Sequence, residues 1–476
     1  MMQQNLKQWM KFGNATSYGS TGVLLLALML GGLLSSSCTK NDSSNVVPPP
    51  AAQPTPTPAP KPEPSPTPEP KPPVITQLRV MSYNVYNLFD SEHDVDLRTK
   101  REGRSAPIEK HKDDSEFLPT EACVALAELK KAECSGFELE SCQQQQDRLK
   151  QDCLSLNRKN NWTAQKYETK LLSIKKLFDL KMKDSQEASY PDIVGLVEIE
   201  NEKVTQRLAT MLGYAHQITT DSYDFRGIDV ALMYKDLPDL KKIGHKIYEI
   251  DEVEINGTVK GKKHKRPTRP ILEVQFTFKG LPLFIYVNHW PSLSNDPNNR
   301  MFAAQRLRSI IEERKRSFGK AHFLALGDFN TNEKQPDQMC ENPEEQVPNC
   351  ARLTPHPIND ILTTSKMPKM SSVAQTAVAK DVPVAPGTYY YNNNWQDLDH
   401  MFVSENLLEG SALKIKLSTF QIFNHLEISE RCNVLFCHTG EMVPRRYNFL
   451  IHPEETQDLG FSDHYPIYVT LEHKSE

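Results

Sequence analysis

The chain has 476 residues, 38% hydrophobic and 25% charged, with a formal net charge of −5. This mixture belongs to a soluble globular protein and excludes a membrane bundle, and with no basic excess any polyanion has to be met by a local patch. Of its 34 prolines, fourteen lie between Pro48 and Pro73, so length alone overstates the number of folded domains.

The first 37 residues are an address. Lys7 and Lys11 precede an apolar run from Val23 to Leu34, followed by Leu34-Ser-Ser-Ser-Cys38. The run is short for a bilayer span and has the order of a secretory signal: positive start, apolar centre, small-residue cleavage site. With cysteine at the junction it resembles a bacterial lipoprotein signal, in which Cys38 becomes the lipidated first residue. The leucine sits one position further from the cysteine than in the commonest lipobox, and a plain secretory signal is the alternative. Residues 38–74 read as an extended polyproline-type spacer, because proline fixes φ and removes the amide donor. An anchor followed by a stalk implies a membrane-attached, extracytoplasmic protein, with secretion as the alternative.

Export makes disulfides the default for the eight cysteines after Cys38. Cys340 and Cys350 flank a polar loop, and Cys432 and Cys437 a short turn. Cys123 with Cys153 and Cys134 with Cys142 have equal index sums, as two antiparallel helices clipped at both ends would give. This predicts a stapled helical hairpin at about 112–160, inserted into a domain spanning 75–474. No CxxC spacing supports zinc at these cysteines.

From residue 76 the pattern alternates between strand and helix. Strands are expected at Gln77–Asn84, Asp192–Val197, Ile228–Tyr234, Ile271–Phe278, Leu283–Asn288, His322–Leu326, Leu398–Val403 and Tyr465–Leu471. Helices are expected at Tyr167–Lys183 and Arg300–Lys315. Glu198 opens an apparent helix, Glu198-Ile-Glu-Asn-Glu202, where an acidic residue would face the positive dipole end. Residues 405–460 yield little beyond their two cysteines.

Nearly every strong strand ends in a carboxylate, carboxamide or imidazole: Asn84, Glu198, Asn288-His289, Asp328 with Asn330, Asp399, and Asp463-His464. Each alone has a bland reading as a turn former, helix cap or buried core group. Together, at one edge of a sandwich, they would line a common cleft whose oxygens suit a hard divalent cation.

The carrying motifs are Ser82-Tyr-Asn84, Asp192-Ile-Val-Gly-Leu-Val-Glu198, Arg226-Gly-Ile-Asp-Val-Ala-Leu-Met-Tyr234, Asn288-His-Trp-Pro-Ser292, Leu326-Gly-Asp-Phe-Asn330, Leu398-Asp-His-Met-Phe-Val-Ser404 and Ser462-Asp-His-Tyr-Pro466. In this order they resemble the endonuclease/exonuclease/phosphatase superfamily over about residues 77–472. The resemblance implies a four-layer α/β sandwich, two packed mixed sheets flanked by helices, and a metal-dependent phosphodiester hydrolase. It implies that Glu198 is the principal Mg²⁺ ligand, with Mn²⁺ or Ca²⁺ as alternatives, that Asn84 helps position the ion, and that Asp463 is a further metal-side carboxylate. Asp328 would orient or deprotonate the attacking water and Asn330 would hold a phosphate oxygen. His464 would contact the scissile phosphate, held by Asp399, and His289 would assist at the phosphate or leaving oxygen. Tyr86 stands where the abasic-site branch carries an aspartate, which weakens a repair role.

Among substrates, nucleic acid is favoured by the basic run Lys260–Arg269, in which Lys262, Lys263, Lys265 and Arg266 would form a cationic finger. Lys100, Arg101, Arg104, Lys110 and Lys112 would extend that surface, while Tyr389–Tyr391 and Trp395 would either stack on bases or fill the sheet core. An endonuclease is therefore expected. A phospholipid or sphingomyelin phosphodiesterase is the same-class alternative, and a catalytically inactive surface-binding protein the alternative from another class. Nothing in the chain calls for an obligate protein partner.

Overall fold

The computed structural model describes residues 75–91, 162–180, 190–222, 227–252, 266–293, 295, 297–333, 356–364, 368–391, 393–410, 412–432, 440–448 and 459–474. The chain separates into two units, Met1–Pro70 and Lys71–Glu476, and all of these residues belong to the second. The expected signal, Cys38, the spacer, the 112–160 insertion, Cys340, Cys350, Cys437, the basic residues from Lys100 to Lys112, and Lys262, Lys263 and Lys265 lie outside the described residues. Cys432 is buried and disulfide-bonded.

Two six-stranded mixed sheets form the frame. The first runs in the order β13-β16-β1-β2-β4-β3, from β1 (Ile75–Leu88), β2 (Ile193–Ile199), β3 (His216–Thr219), β4 (Asp229–Tyr234), β13 (Leu413–Ile422) and β16 (Ile467–Lys474). The second runs β5-β6-β7-β8-β12-β9, from β5 (Leu240–Glu252), β6 (Arg266–Phe278), β7 (Leu281–His289), β8 (His322–Asp328), β9 (Met370–Ser372) and β12 (Asp399–Ser404). Two small hairpins, β10 (Tyr389–Tyr391) with β11 (Asn394–Gln396) and β14 (Ser429–Arg431) with β15 (Met442–Pro444), complete the strands. Strands β4, β8 and β12 are buried at every residue, which is why they read as continuous apolar runs.

The sheets share one buried apolar cluster, with Val80, Val194 and Leu196 from the first and Leu272, Ile285, Val287, Leu324 and Leu326 from the second. At its centre the sheets come so close that a Cβ on Gly195 would lie 2.2 Å from Leu326 Cδ1. Helices α1 (Ala164–Phe178) and α2 (Glu202–Leu212) join this cluster through Leu171, Ile174, Leu177, Val204 and Leu208. Thr163 caps α1 by accepting from the Lys166 amide at 3.2 Å, and Asn201 caps α2 by accepting from the Val204 amide at 2.9 Å. Helix α3 (Pro297–Phe318) covers the second sheet, packing Ala303, Leu307, Ile310 and Ile311 on Phe284, Tyr286, Phe323 and Phe402. The expected sandwich is therefore present. Among the described residues no helix is long and apolar enough to cross a membrane.

Several expectations need correction. Glu198 belongs to the end of β2 and does not start a helix, since α2 begins at Glu202 behind the Asn201 cap. Strands β3 and β5 were not expected. Neither was β13, in a stretch that seemed uninformative although Leu413-Lys-Ile-Lys-Leu alternates as an edge strand does.

Candidate active site

The strand ends converge as their registers dictate. Asp328, last in β8, is paired with His289 on the parallel strand β7 and with Asp399 on the antiparallel strand β12, so one row of the second sheet carries all three. Gly327 makes this close approach: its φ is +132°, and a Cβ there would stand 2.0 Å from Asn288 O. In the first sheet Asn84 is paired with Val197, one residue before Glu198. Ser462 donates to Asn84 O at 2.7 Å, which docks the Asp463-His464 turn against the end of β1.

Side chains connect the two rows. Asn84 Nδ2 donates to Asp328 Oδ2 at 3.1 Å. His289 Nε2 lies 3.8 Å from Glu198 Oε1 and 3.7 Å from Asp328 Oδ2. His464 Nδ1 is 2.6 Å from Asp399 Oδ2, and its Nε2 is 3.9 Å from Asp463 Oδ1. Every expected catalytic and metal-side residue thus falls in one cluster. Asn84 holds Asp328 directly, while its own oxygen accepts from the Tyr86 amide at 2.9 Å. Asn330 donates its backbone amide to Asp328 Oδ1 at 2.8 Å and one side-chain hydrogen to Trp290 O at 3.0 Å.

Backbone strain gathers at the same place. Tyr86, Asn87, Glu198 and Asn330 all have positive φ, at 57°, 58°, 65° and 47°. Each costs on the order of 1–3 kcal/mol, held by the surrounding structure. Glu198 is the extra residue of a bulge: Val197 and Ile199 pair with the consecutive residues Val230 and Asp229 of β4. The bulge turns its carboxylate toward the cleft, where Oε2 accepts from the Asn87 amide at 3.0 Å.

Electrostatics follow from packing four carboxylates together. Burial, then the charge of Asp399, raises Asp328 to about 7 against the opposing pull of His464. Asp463 is also pushed up, by burial first, although His464 opposes. Burial disfavours the charged form of His464, but Asp399, Asp463 and Asp328 outweigh it and lift its pKa to about 10. Lys170 lies buried beside the cluster and is lowered to about 7 by burial, with Asp463 and Glu198 opposing. It donates to Phe461 O and stands 5.5 Å over the Tyr86 ring.

This donor set fits a hard divalent cation. Asp463 Oδ1 and Asp399 Oδ1 are buried oxygens without a hydrogen-bond partner, and Glu198 adds a third carboxylate within their field. Such an excess of buried negative oxygen calls for positive charge.

Several cleft residues were not anticipated. Lys170 sits on a helix with no motif around it, and Arg446 lies in the stretch that looked uninformative. Arg446 stands 5.4 Å over the Tyr389 ring and donates to Tyr390 O at 2.8 Å. The tyrosines divide between the two readings given to them. Tyr390 is buried and packs against Trp395, whereas Tyr389 lies 4.7 Å from the His464 ring and Tyr391 is exposed. The Arg266 backbone starts β6, and Glu252 and Arg266, which flank the basic run, pair at the end of the second sheet where β7 delivers His289.

A profile described as Endonuclease/Exonuclease/phosphatase family matches residues 141–345. No curated protein matches the chain in sequence. Similar solved structures include an endonuclease/exonuclease/phosphatase from Bacteroides vulgatus, 14% identical over 84% of this chain and 99% of that one, with a TM-score of 0.40. A mannosyl-6-phosphatase from Bacteroides thetaiotaomicron VPI-5482 is 13% identical over 83% and 99%, with a TM-score of 0.39. Humanized D. rerio TDP2 is 13% identical over 83% and 98%, with a TM-score of 0.38. Over residues 141–345 the chain is similar to the endonuclease/exonuclease/phosphatase family, and the carboxylates and histidines of the motifs that carry this resemblance converge in one cleft.

Proposed function

We propose that this protein is a divalent-metal-dependent phosphodiesterase that cuts nucleic acid internally, and that it works outside the cytoplasm on a lipid anchor at Cys38. The observation that carries the catalytic reading is the Asp399–His464 pair at 2.6 Å beside Asp328, Glu198 and Asp463. Glu198 and Asp463, with Asn84 alongside, would hold Mg²⁺, or Mn²⁺ or Ca²⁺ in its place. When bound, the ion neutralises charge on phosphate oxygens and on the leaving alkoxide.

The rest falls to the chain itself. Asp328, poised near 7, accepts a proton from the attacking water as its oxygen bonds to phosphorus and the ester P–O bond breaks. Asn84 and the Asn330 amide aim that carboxylate. His464, kept as imidazolium by Asp399, donates from Nε2 to a phosphoryl oxygen. The second side-chain hydrogen of Asn330 serves another oxygen, and His289 serves the leaving oxygen.

Support for a nucleic-acid substrate comes from the rim. Glu252 and Arg266, which bracket the sequence holding Lys262, Lys263 and Lys265, pair at the catalytic end of the second sheet, and Tyr389 and Tyr391 offer rings beside His464 for a base to stack on. Supercoiled DNA, RNA and sphingomyelin vesicles, each incubated with Mg²⁺ and with chelator, test the reading. Metal-dependent conversion of circular DNA to open and linear forms is expected. Cleavage of lipid with nucleic acids intact would refute the nuclease assignment, and inertness toward all three would favour a binding protein.

A further inference from the structure

On the outer face of β8 and β12, away from the Asp399–His464 pair, a second group of ligand-type side chains is gathered by the same two strand ends. Glu333 follows β8 five residues after Asp328, Asp397 precedes β12, and His400 is its second residue. One donor atom from each lies within 4.8 Å of the others. Tetrahedral donors on one ion with bonds of about 2.0–2.2 Å stand about 3.3–3.6 Å apart, so side-chain movements of up to about an ångström close the site.

The hydrogen bonds around the group point to a ligand. His400 Nε2 is 2.8 Å from Thr331 O, and a carbonyl only accepts, so that nitrogen carries the proton. In the neutral ring Nδ1 is then a lone pair. It faces Glu333 Oε1 at 3.8 Å, beyond hydrogen-bond range for either charge state of the ring. Glu333 is 5% exposed, and this oxygen is buried without a hydrogen-bond partner. Two acceptors aimed at one another across a buried gap are costly unless something positive or proton-bearing lies between them. An imidazole donating its other N–H to a backbone carbonyl is also the usual outer support of a metal-bound histidine.

The remaining bonds preset the ligands. Glu333 Oε2 accepts from Ser372 Oγ at 3.0 Å, and Asn359 Nδ2 donates to Glu333 O at 3.0 Å. Asn332 Oδ1 accepts from the Asp397 amide at 2.9 Å. The His400 ring packs between Phe329 and Phe402, with centroids at 5.8 and 5.4 Å. Asp397 alone is half-buried and leaves one side open to water.

We propose that Glu333, Asp397 and His400 bind a divalent first-row transition-metal ion of the zinc type, separate from the ion of the catalytic cleft. One imidazole nitrogen and two carboxylate oxygens, with water in the fourth position, suit such an ion better than Mg²⁺, which prefers oxygen alone. Bound there, the ion ties the loop behind Asp328 and Asn330 to the strand that carries Asp399, so it is a clamp behind the catalytic residues and not a participant in hydrolysis.

The test uses the full chain stripped with a chelator and titrated with Co²⁺, read by visible d–d absorption and by bound metal per chain. With excess Mg²⁺ present to keep the catalytic cleft filled, wild type should take up one Co²⁺ with nitrogen/oxygen-type bands, displaced by Zn²⁺. Glu333→Gln, which keeps the size of the side chain and the Ser372 bond, should lose at least about 100-fold in Co²⁺ affinity. Asp397→Asn, at a half-buried turn, repeats the test without disturbing the core. Glu198→Gln should retain the band, which separates this site from the catalytic one. The proposal is overturned if Glu333→Gln and Asp397→Asn bind Co²⁺ as wild type does, if the bands are those of thiolate ligation, or if the uptake disappears in Glu198→Gln. Absence of any cobalt uptake by wild type would also overturn it, leaving a water molecule in the gap.

Discussion

Replacing Asp399 by asparagine keeps the shape of the side chain and removes the charge 2.6 Å from His464 Nδ1. The pKa of His464 stands at about 10 despite burial that opposes its charge. Against an ordinary value of ~6.5, this is roughly 5 kcal/mol in favour of the imidazolium, and Asp399 is the leading favourable contributor through both charge and hydrogen bond. Because the folded pKa exceeds the unfolded one, the stabilisation is present in full below pH ~6.5 and is lost as pH rises through about 10. Without Asp399, burial should bring His464 to within about one pH unit of ~6.5. Turnover at neutral pH should fall by about 10²–10⁴, and the alkaline limb of the pH–rate profile should move from near 10 toward neutrality. Hydrolysis of bis(p-nitrophenyl) phosphate across pH 5–11, with the His464 ring titrated by NMR, measures both. If Asp399→Asn keeps the alkaline limb and the histidine pKa of wild type, the pair does not hold the imidazolium and the reasoning is wrong.

Three further outcomes follow. Gly327→Ala, which places a Cβ 2.0 Å from Asn288 O at a φ of +132°, should cost several kcal/mol and abolish turnover; a wild-type denaturation midpoint would contradict the close packing of β7 and β8. Arg269 donates from the buried interior to the carbonyls of His289 and Trp290, at 3.1 and 2.7 Å. Arg269→Met should destabilise by about 2–4 kcal/mol and slow turnover by loosening His289, measured by urea unfolding and steady-state kinetics. Replacing Lys262, Lys263, Lys265 and Arg266 by serine should leave small-diester hydrolysis intact, raise KM on DNA, and flatten the log–log salt dependence by up to about 0.9 per lost phosphate contact; an unchanged salt slope would remove the run from the substrate path.

Much of the frame was legible because buried strands announce themselves. Asp192–Val197 and His322–Leu326 are apolar runs that lead into a carboxylate, Leu398–Val403 carries its carboxylate near its start, and the sheet registers bring those ends together. Edge strands carry a weaker signal. β5 mixes lysines with exposed Ile243 and Ile247, and β13 alternates lysine with leucine and isoleucine, so neither stood out. Glu198 was found as a candidate but misplaced, because its sequence neighbours resemble a helix start while its backbone is fixed by a bulge at φ 65° that only the paired strands define. Lys170 and Arg446 had no local signature. They enter the cleft through tertiary packing, the lysine on a helix against Phe461 O and the arginine over Tyr389. His400 and Glu333 were hidden for a related reason: one sits beside Asp399 on the opposite strand face, the other just beyond the Gly-Asp-Phe-Asn motif.

The central claim is that Glu198, on its strained bulge, holds the ion on which phosphodiester hydrolysis depends. The direct measurement is the Mg²⁺ dependence of bis(p-nitrophenyl) phosphate hydrolysis by wild type and by Glu198→Gln. Wild type should show saturable activation that a chelator abolishes, and Glu198→Gln should be at least about 10³-fold slower at the same Mg²⁺ concentration, as expected when several kcal/mol of transition-state charge stabilisation is lost. Equal rates for the two proteins across the titration would contradict the account.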